Sequence, residues 1–212
     1  MNKANKPTVI QHPIVSRDLT ILRDSTTKTA DFRIAMARIA TILAYYALKD
    51  LPLREKEVET PITNTTGFEI DQKIVIVPIL RAGLSLVDAI INFVPDAKVG
   101  HLGMYRDEST HQPVDYYSNM PEGLHEALVL LVDPMLATGG SADDAIEFLQ
   151  KNGAKNIRFI SLISAPEGLD RISKKYPDVP IITAAVDEKL NDDAFIVPGL
   201  GDAGDRYFGT SS

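Results

Sequence analysis

The sequence has 212 residues, 44% of them hydrophobic and 24% charged, which is enough to build the core of one globular domain over residues 1–212. It contains no cysteine, which excludes disulfides and thiolate metal sites, and its four histidines lack the spacing of metal ligands. The formal net charge of −7 argues against nucleic acid as a partner, and the lack of a long apolar run predicts a cytoplasmic protein with no membrane partner.

Hydrophobic periodicity predicts alternating strands and helices after an N-terminal arm over residues 1–30. The first long helix is expected at Asp31–Leu48. The strands expected after it are Ile74–Leu80, Lys98–Met104, Ala127–Val132, Ile157–Ile163 and Pro180–Val186, and the helices between them are Leu84–Phe93, Gly140–Lys151 and Pro166–Lys175. This alternation predicts an α/β fold with a parallel twisted sheet flanked by helices.

Residues 107–126 interrupt the alternation with a polar, turn-rich stretch that has Tyr116 and Tyr117 at its centre. Long irregular insertions in compact domains are often lids or binding loops, so we predict a β-hairpin flap here. A surface excursion without a function explains the same composition equally well.

The segment after the apolar run Ala127–Val132 carries the strongest functional signal. It consists of Asp133, Pro134, Met135, Leu136, Ala137, Thr138, Gly139, Gly140 and Ser141. Open α/β sheets bind ligands beyond the carboxyl ends of their strands, and two glycines before a helix let several backbone N–H groups converge on one anion. The pattern is not that of a nucleoside-triphosphate P-loop.

An ordinary strand–helix turn capped by Ser141 is an alternative interpretation of this segment. Asp133 argues against it. A carboxylate beside an anion site would repel a phosphate, but it can accept hydrogen bonds from the hydroxyls of a sugar attached to that phosphate. The segment therefore predicts a site for a phosphorylated sugar.

Arginines follow two of the other predicted strands. Arg81 comes directly after Ile74–Leu80, and Arg106 comes just after the strand expected to end at Met104. A guanidinium offers a fixed fork for bidentate phosphate contacts, so two arginines at neighbouring strand ends can hold a pyrophosphate. Each arginine alone is equally consistent with a surface salt bridge.

The glycine-rich tail is a further candidate. Gly199, Gly201 and Gly204 match G-x-G-x-x-G, but only eight residues follow Gly204, too few for the βαβ unit of a dinucleotide site. A glycine-rich loop can still place backbone donors and acceptors against a flat ligand. Asp202 and Asp205 are suited to contact a metal through water.

Five motifs together resemble the uracil branch of the type I phosphoribosyltransferase family, over nearly the whole chain. The motifs are PILRAGL (Pro78–Leu84), GMYRDE (Gly103–Glu108), VDPMLATGGS (Val132–Ser141), SAPEGL (Ser164–Leu169) and PGLGDAGDRYFGT (Pro198–Thr210). The resemblance implies a parallel sheet flanked by helices and a small C-terminal hood over residues 187–212. It also implies transfer of a phosphoribosyl group from 5-phospho-α-D-ribose 1-diphosphate (PRPP) to uracil, giving UMP and diphosphate with Mg²⁺.

Site roles follow from the resemblance residue by residue. Asp133–Ser141 would bind the ribose 5-phosphate and ribose hydroxyls of PRPP, and Arg81, Arg106 and Asp202 would contact its pyrophosphate, Asp202 indirectly through the metal. Catalysis would rest on Arg106, Asp133 and Asp202. The wider type I family usually has two adjacent acids where this chain has Asp133-Pro134, and the proline is typical of the uracil branch.

The resemblance also implies how the base is bound and what else is bound. The uracil edge would be read at Ile196, Gly201, Asp202 and Ala203. A homodimer or higher homo-oligomer is expected, and GTP is a possible activator because it activates some members. Three alternatives stay open: another base such as orotate, a purine or another pyrimidine; a regulator that binds nucleotide and RNA; and a plain nucleotide-binding module. The net charge of −7 argues against the regulator.

Overall fold

The computed structural model describes residues 6–106 and 113–210. Its helices are α1 (Pro13–Arg23), α2 (Thr29–Leu48), α3 (Leu84–Phe93), α4 (Gly140–Lys151), α5 (Pro166–Lys175) and α6 (Ala203–Phe208). Its longer strands are β2 (Leu53–Glu59), β3 (Asn64–Ile70), β4 (Lys73–Pro78), β6 (His101–Arg106), β7 (Pro113–Asn119), β8 (Ala127–Val132), β10 (Asn156–Ser164) and β11 (Ile181–Val186). Two-residue strands are β1 (Thr8–Val9), β5 (Lys98–Val99), β9 (Met135–Leu136), β12 (Lys189–Leu190) and β13 (Ile196–Val197).

A parallel sheet forms the centre of the fold. Its strands run in the order β1-β11-β10-β8-β4-β5, with β9 paired to β10 beside β8. All six residues of β8 are buried. Alternate side chains of β4 and β8 enter opposite core clusters: Ile76 and Leu130 pack towards α1, α2 and α3, whereas Val77 and Leu131 pack towards α4 and α5. Burial on both faces explains the continuous apolar runs in the sequence.

The predicted fold class is confirmed. Four elements, α3, α4, α5 and β8, have the predicted bounds, and α2 begins two residues before the predicted Asp31. A sheet covered by helices on both faces needs apolar side chains on both faces of its strands, so these strands are easily recognised in the sequence. Within the described residues, no helix combines the length and the apolar composition needed to cross a bilayer.

The segment predicted as an N-terminal arm is part of the folded domain from residue 8 onward, with β1 as an exposed edge strand and α1 packed into the core. Thr8 in β1 pairs with Ile182 in β11, and Leu22 of α1 is fully buried. Helix α1 begins at Pro13, with the His12 side chain accepting a hydrogen bond from the Ile14 N–H. The proline at the first helical position is an ordinary start signal that the prediction of an arm overlooked, whereas histidine is an uncommon N-cap.

The sequence did not predict the antiparallel hairpin of β2 and β3. These strands pair from Leu53↔Ile70 to Glu59↔Asn64 and form a two-stranded sheet of their own. Their side chains are mostly exposed, so the strands lack the buried apolar pattern that identifies the central ones.

The predicted flap is a hairpin that starts earlier than expected. The predicted strand Lys98–Met104 divides at Gly100, where an added Cβ would lie 2.6 Å from Met120 Sδ. Only β5 stays in the central sheet, while β6 pairs with β7 in an antiparallel hairpin with a bulge between Gly103 and Met104. Residues 107–112 of the predicted flap lie outside the described residues.

Candidate active site

The glycine-rich segment begins where β8 leaves the sheet. After Val132, Asp133 and Pro134 interrupt the strand, and pairing resumes in β9 against Ile163 and Ser164. The Pro134 carbonyl accepts hydrogen bonds from the N–H groups of Leu162 (3.0 Å) and Ile163 (3.1 Å). The prediction of one continuous loop was therefore wrong for Met135–Leu136, which form a short strand beside β10.

The turn into α4 depends on glycine. Gly139 is the N-cap residue and has φ of +76°, a backbone conformation that favours glycine. A Cβ on Gly139 would also lie 3.2 Å from the Cα and carbonyl oxygen of Gly168 in α5. Ser141 is inside the first helical turn, so its interpretation as the helix cap was wrong. The first turn of α4 points its amides towards a cavity, where the Gly140 N–H already donates to Thr138 Oγ1 (3.3 Å).

This cavity has a volume of about 80 Å³. It is lined by Asp133, Met135, Leu136, Ala137, Thr138, Gly139, Gly140, Ser141 and Ala142. Pro134 is buried and does not line the cavity. Its carbonyl instead pairs with β10 at the break between β8 and β9. The helix N-terminus, the exposed Thr138 and Ser141 make the cavity suited to an anion of the size of one phosphate.

Asp133 lies at the rim of the cavity, directly after the last residue of β8. Burial raises the pKa of Asp133 from its usual 3.8 to about 7, and a hydrogen bond from the Met135 N–H (3.4 Å) opposes that rise. A carboxyl group with this pKa exchanges its proton near neutral pH. It can accept hydrogen bonds from sugar hydroxyls most strongly once it is ionised.

The turn Ile79–Gly83 lies against the end of β8. The Ile79 N–H donates to the carbonyl of Val132 (3.0 Å), and a Cβ on Gly83 would lie 2.5 Å from the same oxygen. The Leu80–Arg81 peptide bond is cis. Gly83 thus lets this turn approach the residue that precedes Asp133, and it places Arg81 near the glycine-rich segment.

The hood closes against the same turn. A Cβ on Gly204 would lie 3.7 Å from Ala82 Cβ, and Arg81 Nη2 lies 3.4 Å from Asp205 Oδ1. Asp202 is exposed at the N-cap of α6, where its Oδ1 accepts a hydrogen bond from the Asp205 N–H (2.8 Å). The Ile79–Val132 backbone hydrogen bond and the Arg81–Asp205 ion pair therefore bring Asp133, Arg81 and Asp202 to one edge of the sheet.

The predicted base-reading residues form a compact turn in the hood. Ile196 is buried in β13, which pairs with β12, and Ala203 is buried at the start of α6. Between them Gly199 and Gly201 have φ of +60° and +77°, and a Cβ on Gly199 would collide with the Ile196 carbonyl oxygen. This turn exposes backbone groups of Gly201 and Asp202 beside the Arg81 turn. Arg106, in contrast, ends β6 in the flap hairpin, and its side chain lies outside the described part of the chain.

Sequence reasoning missed the contribution of α5 to the glycine-rich segment. A Cβ on Gly168 would lie 2.5 Å from the Ala137 carbonyl oxygen, so α5 packs directly on the turn. Glycine inside a helix costs about 1 kcal/mol relative to alanine, which marks such a close approach in advance.

The Asp143 carboxylate in the first turn of α4 links α4 to α5. Asp143 accepts hydrogen bonds from Lys175 Nζ (2.6 Å), the Tyr176 hydroxyl (2.7 Å) and Arg171 Nη2 (2.7 Å). Burial alone would raise the pKa of Asp143, but these three donors outweigh it and lower the pKa below its usual value. The contacts fix the helix on which the cavity is built.

Comparison with known proteins assigns the family. A family profile described as uracil phosphoribosyltransferase matches residues 9–210. The chain belongs to this family. A uracil phosphoribosyltransferase of Salinibacter ruber is 53% identical over 203 residues, which cover 96% of this chain and 97% of that relative.

Solved structures share the fold of this chain. A protein of Aquifex aeolicus has a TM-score of 0.90 at 41% identity, with 97% of this chain and 99% of that chain covered. A purine phosphoribosyltransferase of Pyrococcus horikoshii has a TM-score of 0.51 at 18% identity, covering 73% and 84% of the two chains, and shows the shared fold alone. The predicted membership of the uracil phosphoribosyltransferase family is confirmed.

Proposed function

We propose that the chain transfers the 5-phosphoribosyl group of PRPP to uracil, giving UMP and diphosphate in pyrimidine salvage, at the edge of the sheet where Asp133, Arg81 and Asp202 meet. The observation that carries the proposal is the glycine-bounded cavity at the N-terminus of α4, next to the Arg81 turn and the hood. Family membership supplies the reaction, and this geometry supports the proposed positions of the 5-phosphate and the sugar.

The 5-phosphate of PRPP fits the cavity of the glycine-rich segment. Backbone N–H groups at the start of α4 and the hydroxyls of Thr138 and Ser141 are donors, and the helix dipole favours negative charge there. Asp133 then lies beside the sugar rather than the phosphate and accepts hydrogen bonds from ribose hydroxyls. This arrangement binds an anionic ligand on a chain whose net charge is −7.

The pyrophosphate of PRPP is assigned to Arg81, Arg106 and Asp202. The described residues contain no group of three or more His, Asp or Glu side chains able to hold a metal. Mg²⁺ often binds through one carboxylate, water and substrate phosphates, so Asp202 fits an ion held mainly by the donor. When bound, Mg²⁺ would neutralise charge on the pyrophosphate.

The chemistry requires orientation and charge stabilisation more than a covalent nucleophile. Departure of diphosphate leaves C1 of the ribose electron-poor, while negative charge grows on the leaving group. The guanidinium of Arg81 is placed to stabilise that charge, and Asp133 holds the sugar in position. The flap hairpin over β6 and β7 and the hood are suited to exclude water that would hydrolyse the donor.

Uracil is assigned to backbone groups of Ile196, Gly201, Asp202 and Ala203. A flat neutral base is selected by complementary donors and acceptors, because a base with a different edge would leave buried polar groups unpaired. The glycines at positive φ allow this turn to direct its peptide groups towards one ligand edge.

One assay tests the proposed reaction. The protein, Mg²⁺ and PRPP are mixed with uracil, cytosine, orotate, hypoxanthine or adenine, and nucleotide products are separated by chromatography. We expect UMP from uracil and little product from the other bases. A faster reaction with orotate or a purine would contradict the assigned base. Excess chelator tests the Mg²⁺ requirement, and RNA filter binding tests the regulator alternative.

We also propose assembly into a homodimer or higher homo-oligomer. Support comes from the β2–β3 hairpin, where Leu53, Phe68 and Ile70 are exposed on one face. Such a patch on a hairpin outside the central sheet is typical of a surface that packs against another copy. GTP activation and a cytoplasmic location stay predictions, tested by rate measurements with added GTP and by cell fractionation.

A further inference from the structure

Arg23 and Asp187 form a bidentate ion pair beneath the hood. Arg23 is the last residue of α1, and Asp187 directly follows β11. The two residues are 164 positions apart in the chain. Arg23 Nη1 lies 2.8 Å from Asp187 Oδ2, and Nη2 lies 2.6 Å from Oδ1. The side chain of Asp187 is only 5% exposed. This pair has the geometry of the strongest protein hydrogen bonds.

Both members of the pair also bind the backbone of Gly199. Arg23 Nη1 donates to the Gly199 carbonyl (2.8 Å), and the Gly199 N–H donates to Asp187 Oδ2 (2.8 Å). The pair therefore occupies both polar backbone groups of Gly199. With φ of +60°, Gly199 is the point at which the chain bends between Ile196 and Gly201.

A second arginine ties the same region to α1 from the opposite side. Arg206 Nη1 donates to the Leu200 carbonyl (2.7 Å) and to the Leu22 carbonyl, and Nη2 donates to the Asp24 carbonyl (2.6 Å). Its guanidinium lies 4.5 Å from the Phe32 ring centroid. Arg23 at the end of α1 thus binds the hood, and Arg206 in the hood binds the end of α1. Together these contacts fix the peptides of Gly199 and Leu200.

We propose that Arg23 and Asp187 are positioning residues for the base, an inference that rests on the proposed uracil site at Ile196–Ala203. Since the peptide groups of Gly199 are already used, the base is read by its neighbours, whose directions depend on how Gly199 is held. Substitution within the pair leaves the cavity for the 5-phosphate untouched. The effect is therefore larger on uracil than on PRPP, which is proposed to meet this turn only at Asp202.

The test compares Arg23→Lys and Asp187→Asn with a matched pair elsewhere. Arg38 and Asp18 form a similar bidentate pair between α2 and α1, with distances of 2.7 and 2.9 Å and a fully buried aspartate. We expect Arg23→Lys and Asp187→Asn to raise the KM for uracil roughly 10- to 100-fold and to change the Kd for PRPP less than about twofold. Arg38→Lys and Asp18→Asn should lower thermal stability without changing the KM for uracil.

A substitution in the proposed base site separates the two hypotheses. Gly201→Ala places a side chain at φ of +77° and should raise the KM for uracil if this turn reads the base. If Gly201→Ala raises the KM for uracil but neither Arg23→Lys nor Asp187→Asn does, the positioning role is overturned and the proposed base site stands. No effect of any of these substitutions would overturn both. An equal effect of the Arg38 and Asp18 variants would show general destabilisation and overturn the inference.

Calorimetry with PRPP and thermal unfolding accompany the kinetics. Asp187→Asn keeps the shape of the side chain and an acceptor for the Gly199 N–H, so it tests the proposal even if Arg23→Lys does not fold. A proportional loss of PRPP and uracil binding would count against a role confined to the base.

Discussion

Arg81 in the turn after β4 and Asp205 in the hood helix α6 approach within 3.4 Å, between Nη2 and Oδ1. The arginine side chain is 67% exposed, whereas that of the aspartate is 13% exposed. The pair is long and its arginine is exposed, and Asp205 Oδ1 also accepts a hydrogen bond from the Thr210 hydroxyl (2.6 Å), so the pair contributes little to stability, about 0–1 kcal/mol. Arg81 can therefore exchange this partner for a ligand phosphate at small cost, which suits a residue that binds and releases diphosphate.

Arg81→Gln should weaken PRPP binding by roughly 10- to 100-fold, because a charged donor to the pyrophosphate is lost. Calorimetry with PRPP measures the change. The matched control is Arg17→Gln, since Arg17 is also exposed and paired with an aspartate, Asp18. Equal affinities of the Arg81 and Arg17 variants would remove Arg81 from the donor site.

Gly139→Ala should abolish measurable PRPP binding. Alanine is strained at φ of +76°, and its Cβ would lie 3.2 Å from the backbone of Gly168, so the turn and α5 must separate by a few tenths of an ångström. Gly153→Ala is the control, because Gly153 has φ of +91° but its nearest neighbour for a Cβ is 3.9 Å away. Both variants should lose about 1–2 kcal/mol of stability, and only the first should lose PRPP in calorimetry.

The parts of the site that sequence reasoning located are those with a local chemical signature. Asp133 and Gly139 follow a fully apolar strand, and Arg81 directly precedes a glycine turn, so strand ends alone placed them at one edge of the sheet. The rule that parallel strands place ligands beyond their carboxyl ends needs no knowledge of distant contacts.

The parts that were missed depend on contacts between distant segments. Nothing near Arg23 in the sequence distinguishes it from other surface arginines, yet it binds Asp187 and Gly199 at the far end of the chain. In the arm over residues 1–30, β1 was missed for the same reason, because it is recognisable only through its pairing with β11, whereas the start signal of α1 at Pro13 is local and was overlooked. The β2–β3 hairpin is too exposed to show the alternation of a strand with one buried face.

Asp133→Asn should stabilise the protein at alkaline pH while weakening PRPP binding. Burial raises the pKa of Asp133 from 3.8 to about 7, so the folded protein keeps a proton that the unfolded chain has lost. The resulting penalty is absent below about pH 4, grows up to pH 7 and is complete above it. Asparagine removes the penalty.

Urea unfolding at pH 5 and pH 8 measures this effect. The gain in unfolding free energy for Asp133→Asn should be larger at pH 8, on the order of 1–3 kcal/mol. Calorimetry should show weaker PRPP binding, because a neutral amide accepts hydrogen bonds from ribose hydroxyls less strongly than a carboxylate. A variant less stable than the wild type at pH 8 would contradict the buried, proton-binding state of Asp133.

Asp202→Asn separates the charge of this residue from its structural role. Asparagine is also a good N-cap, so the hydrogen bond from the Asp205 N–H and helix α6 should be preserved. Loss of the charge near the pyrophosphate should lower kcat by roughly 100-fold. The control is Asp192→Asn, at an exposed aspartate between β12 and β13. An unchanged kcat for Asp202→Asn, with the unfolding temperature also unchanged, would leave Asp202 with the capping role alone.

Phe68→Glu should weaken self-association of the chain. Phe68 is 64% exposed in β3, and the pairing of Leu53 with Ile70 places both on the same face of the hairpin as Phe68. A carboxylate buried against an apolar surface of a second copy would be desolvated without a partner, which shifts the equilibrium towards the monomer. Thr65→Glu, on the opposite face of the same strand, is the matched control for added charge. Sedimentation velocity over a range of concentrations should show more monomer for Phe68→Glu and an unchanged distribution for Thr65→Glu. If both variants sediment like the wild type, the patch of Leu53, Phe68 and Ile70 on this hairpin does not join two copies.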